Sequence, residues 1–466
     1  MTDAADLTAL EMLHLFSVHK LSPREVMAAV AARVEALDGT LNATWGEDFE
    51  TAMEEAAASE ARWMAGAPIG PLDGVPLTVK EMIATRGHAK PVGTAAGDMT
   101  PQTVDAPPAA RCREAGAIIF AKTTNPDYGM LSSGLSSFHK LARNPWDITR
   151  TPGGSSSGAA AASAAGYGPL HIGTDIGGSV RLPAGWCGTF TLKPSNGRIP
   201  IDPPFIGRVA GPMTRTVEDS ALMMSVLSQP DERDYMSLPP VELPWRELGC
   251  DLAGLRIGLM MDAGVGLPVE ADVAKAVREA AALFEKAGAV IEEVPPVMDR
   301  EMLDGLDVFW RTRFLAETAA LSRDLYELIL PYIRAWGEGA RGLDGIAVYR
   351  GFSQIIRIRE AGARAFSGFD FMLSPTAPIT AFAAELPGPT NDPARPFEHI
   401  GFTVAYNMTE QPAASINCGY DNDGLPIGLQ IIGKRFDDVG VLGLSKAYEM
   451  MRPAQRAWPT LGPTKL

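Results

Sequence analysis

The ten residues Ser157–Gly166, SGAAAASAAG, restrict the possible folds of this chain more than any other stretch. Alanine is the strongest helix former, and a helix this short of side chains brings its backbone close to whatever packs on it. Such a segment is expected at the centre of a layered domain, covered on all sides. The length supports that reading: 466 residues, 46% of them hydrophobic, suffice for a large core in one big domain or two to three ordinary ones.

The pattern around this helix is that of an α/β chain. Short apolar runs such as GVPLTV and AGAIIFA, between Pro71 and Phe120, are broken by glycine and proline turns and read as strands. LRIGLMM, the helical run Val269–Ala287 and AVIEEV make a strand–helix–strand unit. FDFMLSPTAP and GLPIGLQIIG return to sheet before a last helix near Val439–Met451. At the N-terminus, Leu7–Leu41 has helical spacing, with Ser22 and Pro23 as cap and first-turn signal. Met302–Phe366 is amphipathic and rich in aromatics, among them Tyr332, Trp336, Tyr349 and Phe352, which predicts a helical subregion packed on the sheet. The proline-rich segment Gln229–Glu247 reads as a surface excursion. With no internal repeat or low-complexity linker, the expected organisation is a helical segment over residues 1–60 packed on a single domain over 61–466, its helical subregion at about 300–366.

Charge narrows the partners. A formal net charge of −15, with no basic run, makes nucleic acid and anionic membranes poor partners. Cys112, Cys187, Cys250 and Cys418 are too scattered for a CxxC pair and read as reduced thiols. The start MTDAADLTALEML lacks the zones of a signal peptide, and no window is apolar enough for a membrane helix, so the expected compartment is the cytoplasm. Six histidines fall into no HExxH or HxH spacing, and no phosphate-cradling loop follows a strand. No metal or cofactor is expected.

Two glycine-framed serine turns flank the alanine helix. Gly154-Ser155-Ser156-Ser157-Gly158 fits the GxSxG pattern of a nucleophile elbow centred on Ser156, but the residues before it, RNPWDITRTP, are too polar for the buried strand that an elbow requires. Of the later histidines, His171 is too near in sequence and His399 sits in a polar stretch. The chemistry then needs another base. Lys80 closes the apolar run VPLTV, and burial lowers a lysine's pKa by disfavouring its charged form. In the second turn, Thr174-Asp175-Ile176-Gly177-Gly178-Ser179, paired glycines let several backbone N–H groups converge, which suits an oxyanion hole beside Ser179 as nucleophile.

Lys80 in GVPLTVKEM, the GGSSSG loop and GTDIGGSVR together resemble the amidase signature family. The resemblance continues through CGTFTLKPSNGRIP and GPMTRTVEDSALMM to GLPIGLQIIG, nearly the whole chain. It implies a central mixed, twisted sheet with helices on both faces. It further implies Ser179 as nucleophile, Ser155 after a cis peptide bond as the bridging serine, and Lys80 as base, with Ser156 in support. The N–H groups of Ile176, Gly177, Gly178 and Ser179 would form the oxyanion hole, and Asp175 and Arg181 would hold the turn. Ser157, Glu81, Met82, Glu410 and Asn417 depart from the family's commoner residues. The tRNA-amidotransferase branch usually continues its turn as RQPA, whereas this chain has Arg181-Leu182-Pro183-Ala184, so a stand-alone amidase, possible as a homodimer, is favoured. Its small-molecule substrate is expected to be an apolar or aryl amide, with a carbamate or ester as the alternative. Met82, Met130, Phe205, Phe309, Trp310 and Phe314 are the candidates to line an apolar pocket.

Overall fold

The computed structural model describes residues 3–461, and those residues build one mixed sheet of eleven strands flanked by helices. In chain order the strands are β1 (Thr44–Trp45), β2 (Pro76–Lys80), β3 (Ile118–Thr123), β4 (Leu170–Asp175), β5 (Phe190–Lys193), β6 (Val209–Thr214), β7 (Arg256–Leu259), β8 (Val290–Glu293), β9 (Phe371–Pro375), β10 (Ala413–Tyr420) and β11 (Pro426–Gly433). Their order across the sheet is β1-β3-β2-β4-β6-β5-β10-β11-β9-β7-β8. Strands β3, β2 and β4 run parallel, as do β9, β7 and β8, while the pairs between β4 and β9 are antiparallel. Every residue of β2, β3, β4, β5, β6, β9 and β11 is buried, which explains their continuous rather than alternating apolar character.

The alanine-rich helix, Ser157–Ala165, lies at the centre with all nine residues buried. It packs on β2, β3, β4 and β6 and on the short helix Arg181–Cys187. The closeness is visible at Gly158, where an added Cβ would lie 2.1 Å from the Ala43 carbonyl oxygen and 2.4 Å from the Thr124 nitrogen. A larger residue there would drive the helix off the sheet.

Helix Pro23–Leu41 begins with a capping box, Ser22 against Glu25, and with Pro23 in its first turn. The N-terminal segment is not separate from the sheet, because Thr44–Trp45 adds the edge strand beside β3 and residue 60 falls inside helix Phe49–Met64. Residues 229–247 hold no helix or strand and are largely exposed, but Trp245 is buried and pins the excursion to the core. The aromatic-rich region forms helices Arg300–Thr318, Arg323–Leu328, Pro331–Glu338 and Gly345–Ala365, the first and last packed along each other. Among the described residues no helix is long and apolar enough to cross a membrane.

Candidate active site

Parallel pairing of β2 with β4, Val79 opposite Ile172, brings the ends of both strands to one edge of the sheet. Lys80 is the last residue of β2, and Asp175 is the last of β4, so the turn that follows β4 opens beside the lysine. The loop entering the central helix arrives between them, and its Gly154–Ser155 peptide is cis. Three hydroxyls surround the Lys80 ammonium: Nζ lies 2.8 Å from Ser155 Oγ, 3.1 Å from Ser156 Oγ and 3.0 Å from Thr174 Oγ1. Among the described residues no carboxylate hydrogen-bonds to it. Lys80 is fully buried, and that burial pulls its pKa down to about 7, the nearby charge of Arg208 adding to the effect and those of Asp175 and Glu81 opposing it. A substantial share of neutral amine is therefore present near neutral pH.

Ser156 sits where a helix cap would, yet its hydroxyl does not cap the helix. It accepts from the Thr174 amide at 3.2 Å, lies 3.2 Å from the Thr174 carbonyl as donor, and touches Lys80. It thereby ties the two serine loops together. No histidine among the described residues bonds to it. His171 is instead held between Thr78 Oγ1 and the Gly168 carbonyl, and buried His399 stacks on Trp186. Among the described residues the elbow reading of GxSxG has no histidine to complete it.

The turn that follows β4 and presents Ser179 is held by a buried ion pair. Asp175 Oδ1 accepts from the Gly178 amide at 2.8 Å and Oδ2 from the Val180 amide at 3.1 Å, while Arg181 reaches both oxygens at 3.0 and 3.1 Å. The rest of the guanidinium donates to the Thr403 carbonyl, Gln430 Oε1 and Asn407 Oδ1 at 2.6–2.9 Å, and Asn407 Nδ2 returns a bond to Asp175 at 2.8 Å. Burial pushes the Asp175 carboxyl up, but Arg181 and these hydrogen bonds outweigh it and hold the group well below the usual carboxylate range. A fully buried charge pair persists only when its remaining donors and acceptors are met, and here they are. Gly178, at φ +129°, has no room for a side chain, since a Cβ would meet Thr403 Oγ1 at 2.6 Å.

One of the four amides expected in an oxyanion hole is already engaged by this network. The Gly178 N–H belongs to Asp175, so it is engaged in shaping the turn rather than free to receive an oxyanion. The N–H groups of Ile176, Gly177 and Ser179 donate to no acceptor among the described residues. Ser179 is partly exposed, its carbonyl accepts from the Ser156 amide at 3.1 Å, and its hydroxyl makes no hydrogen bond with Ser155 Oγ in this conformation. Catalytic contacts commonly tighten only when substrate is bound.

Ser179 lines a cavity of about 40 Å³ together with Gly129, Met130, Leu131, Ser132, Ile176, Gly177, Leu182, Trp310, Arg313, Phe397 and Ile400. Of the residues expected at an apolar pocket, Met130 and Trp310 line this cavity. Met82 stands behind this wall with its sulfur 3.5 Å from Thr174 Oγ1. Phe314 is fully buried between Tyr128 and Trp336, and Phe205 stacks on Phe309 outside the lining. Aromatic content alone does not separate pocket from packing, because the helical subregion needs a core of its own. Leu131, Leu182, Phe397, Ile400 and Arg313 line the cavity without any local sequence pattern that marks them. Of the unusual residues, Glu410 adopts φ +65°, the left-handed conformation that glycine takes most easily, and its carboxylate pairs with Arg359 at 2.7 Å and with Arg435.

Residues 25–442 match the profile of the family described as Amidase. Among curated relatives, the acylamidase of Rhodococcus erythropolis is 32% identical, the alignment covering 96% of each chain. The A subunit of the Myxococcus xanthus glutamyl-tRNA(Gln) amidotransferase is 34% identical over 95% of this chain and 97% of its own. Among solved structures, a bacterial aryl acylamidase of the amidase signature family superposes with a TM-score of 0.88 at 30% identity, covering 96% of both chains. The 6-aminohexanoate cyclic dimer hydrolase follows with 0.84 at 25% identity, covering 97% of this chain and 98% of that one. With the family's profile spanning most of its length and the fold matching throughout, the chain belongs to the amidase signature family and is an amide-cleaving hydrolase.

Proposed function

We propose that this chain hydrolyses a carboxylic amide through an acyl-enzyme on Ser179, with Ser155 relaying the proton to Lys80. The observation that carries the reading is the buried Lys80 amine, its pKa about 7, held 2.8 Å from Ser155 Oγ and surrounded by hydroxyls rather than carboxylates. Neutral Lys80 accepts the Ser155 proton as Ser155 accepts that of Ser179, whose oxygen attacks the amide carbonyl. The carbonyl oxygen becomes an oxyanion facing the N–H groups of Ile176, Gly177 and Ser179, each such donor being worth roughly 3–4 kcal/mol in comparable sites. Collapse expels the amine, which takes the proton back along the relay, and water repeats the sequence to release the acid. Asp175 and Arg181 hold the turn so that its amides stay converged. The cavity's Met130, Leu131, Leu182, Trp310, Phe397 and Ile400 favour an apolar or aryl acyl or amine portion. Carbamates and esters are the alternative substrates of the same chemistry.

A second reading, the A-type component of a tRNA amidotransferase, is favoured by relatives 34% and 37% identical to this chain. Leu182 replaces the glutamine of the RQPA turn, and the charge of −15 offers no surface to tRNA. These features favour independent action. Turnover of anilides, primary amides, carbamates and esters by the isolated chain, with Ser179→Ala as control and fluorophosphonate labelling of Ser179, tests the proposal. Labelling elsewhere, or none, would overturn the mechanism; glutamine hydrolysis that appears only with added partner proteins would favour the second reading.

A further inference from the structure

One polar feature of the cavity is unused by the relay. Arg313, on helix Arg300–Thr318, lines the same cavity as Ser179 and lays its guanidinium 3.9 Å from the Phe205 ring centre. Arg208 sits 5.9 Å from the same centre. Phe205 in turn stacks on Phe309 at 6.1 Å, and Phe309 meets Phe352 edge-on at 5.1 Å, so the pair of cations is mounted on an aromatic column rather than left to wander.

The charges do not balance. Arg313 has one carboxylate partner, Glu317, one helical turn away at 2.7 Å and itself partly exposed. Arg208 has none among the described residues: the one hydrogen bond of its guanidinium there goes to the Pro203 carbonyl at 3.3 Å, and Glu317 is felt only at a distance. Burial and the neighbouring Arg313 pull the Arg208 pKa down to about 10, the direction expected of a cation short of a counter-charge. Of the two cations only Arg313 has a carboxylate partner, and a partly exposed pair of that kind is worth little. Arg181, by contrast, is neutralised in full by Asp175. A surplus cation behind a pocket wall is costly unless a ligand supplies the anion.

Resting on the amide-hydrolase reading above and narrowing its substrate, we infer that Arg313, backed by Arg208, binds a carboxylate carried by the substrate, so that the preferred amide is apolar around the scissile bond and anionic at one end. Arg313 would take the carboxylate through two parallel N–H donors, with Glu317 released toward solvent. Arg208 adds field rather than contact, since it does not line the cavity.

The test compares two 4-nitroanilides of similar length, glutaryl and valeryl, which differ in a terminal carboxylate. Wild-type protein is expected to favour the glutaryl compound in kcat/KM by about tenfold or more, through KM, and the preference should shrink as salt rises from roughly 0.05 to 0.5 M. Arg313→Gln should remove the preference and Arg313→Lys should retain part of it. Equal kcat/KM for both compounds in wild type, or a preference indifferent to salt and to Arg313→Gln, would overturn the inference. If neither anilide turns over, calorimetric titration of wild-type protein with glutarate decides: binding that Arg313→Gln weakens about tenfold supports the carboxylate site, and its absence refutes it. Loss of turnover together with loss of fluorophosphonate labelling speaks against the hydrolytic mechanism and not against the anion site, which the titration measures separately.

Discussion

Lys80 and Lys122 stand on adjacent parallel strands, β2 and β3, with Val79 opposite Lys122 and Lys80 opposite Thr123. Both are fully buried, and burial pulls both to a pKa of about 7. Their surroundings differ in kind. Lys122 donates to the Ile83 carbonyl at 2.6 Å and to Thr85 Oγ1 at 2.5 Å, fastening the chain that leaves β2. Lys80 faces three hydroxyls, two of them on the serine loop that abuts the turn carrying Ser179. A depressed pKa therefore identifies a buried lysine, and only the partners distinguish a base from a strut. The Ile83 carbonyl has no proton to give and the Thr85 hydroxyl already donates its own to that carbonyl at 3.1 Å, whereas a serine hydroxyl that faces the Ser179 turn can surrender a proton and be replenished.

Mutation should separate the two lysines, with the nucleophile setting the upper limit. Ser179→Ala should lower kcat by about 10⁶, the scale seen when a nucleophile acting as part of a unit is removed. Lys80→Met and Ser155→Ala should each cost about 10²–10⁴ in kcat/KM, measured on a reactive anilide. Lys122→Met should leave kcat in the same order of magnitude as wild type; a loss matching that of Lys80→Met would make the two lysines equivalent in function.

Dependence on pH separates them again. If Lys80 must be neutral, kcat/KM rises with pH and levels off above an apparent pKa of about 7. Lys122→Met should preserve that profile. An unchanged rate down to about pH 5 would remove Lys80 from the mechanism.

The smallest effect is on stability, and there the two lysines should behave alike. An unfolded chain keeps each lysine protonated up to its ordinary value, while the folded chain releases the proton at about pH 7, so the unfolded state binds more protons between about 7 and 10.5 and stability rises with pH across that window. Lys80→Met and Lys122→Met should each flatten the slope of melting temperature against pH between about 7 and 9, by calorimetry. A flattening in one only would show that their burial is not equivalent.

Much of the scaffold is legible in the sequence because its causes are local. The alanine run is a helix since no side chain opposes it, Ser22 and Pro23 announce a helix start, and the strand–helix–strand unit ending in AVIEEV follows from periodicity. Strand β4 carries a weaker signal, because LHIGTD mixes a histidine, a glycine and an aspartate and is buried only by virtue of its place between β2 and β6. Among pocket candidates, Trp310 and Phe314 lie four residues apart on one helix, yet Trp310 lines the cavity and Phe314 fills the core beneath it. Helical spacing gives both the same face, and only the packing of Tyr128 and Trp336 assigns them.

What the chain's sequence determined by itself is the chemical inventory: a lysine ending an apolar strand, two glycine-framed serines, and glycines where backbone must pass close to backbone. These are properties of residue type and near neighbours. Tertiary structure alone decided which hydroxyls meet Lys80, that the Gly178 amide serves Asp175, and that Arg313 and Arg208 share an aromatic ring while only Arg313 has a carboxylate partner. The physical reason is that burial, counter-charge and hydrogen-bond direction depend on groups distant along the chain, which pairing of the strands brings to one edge of the sheet.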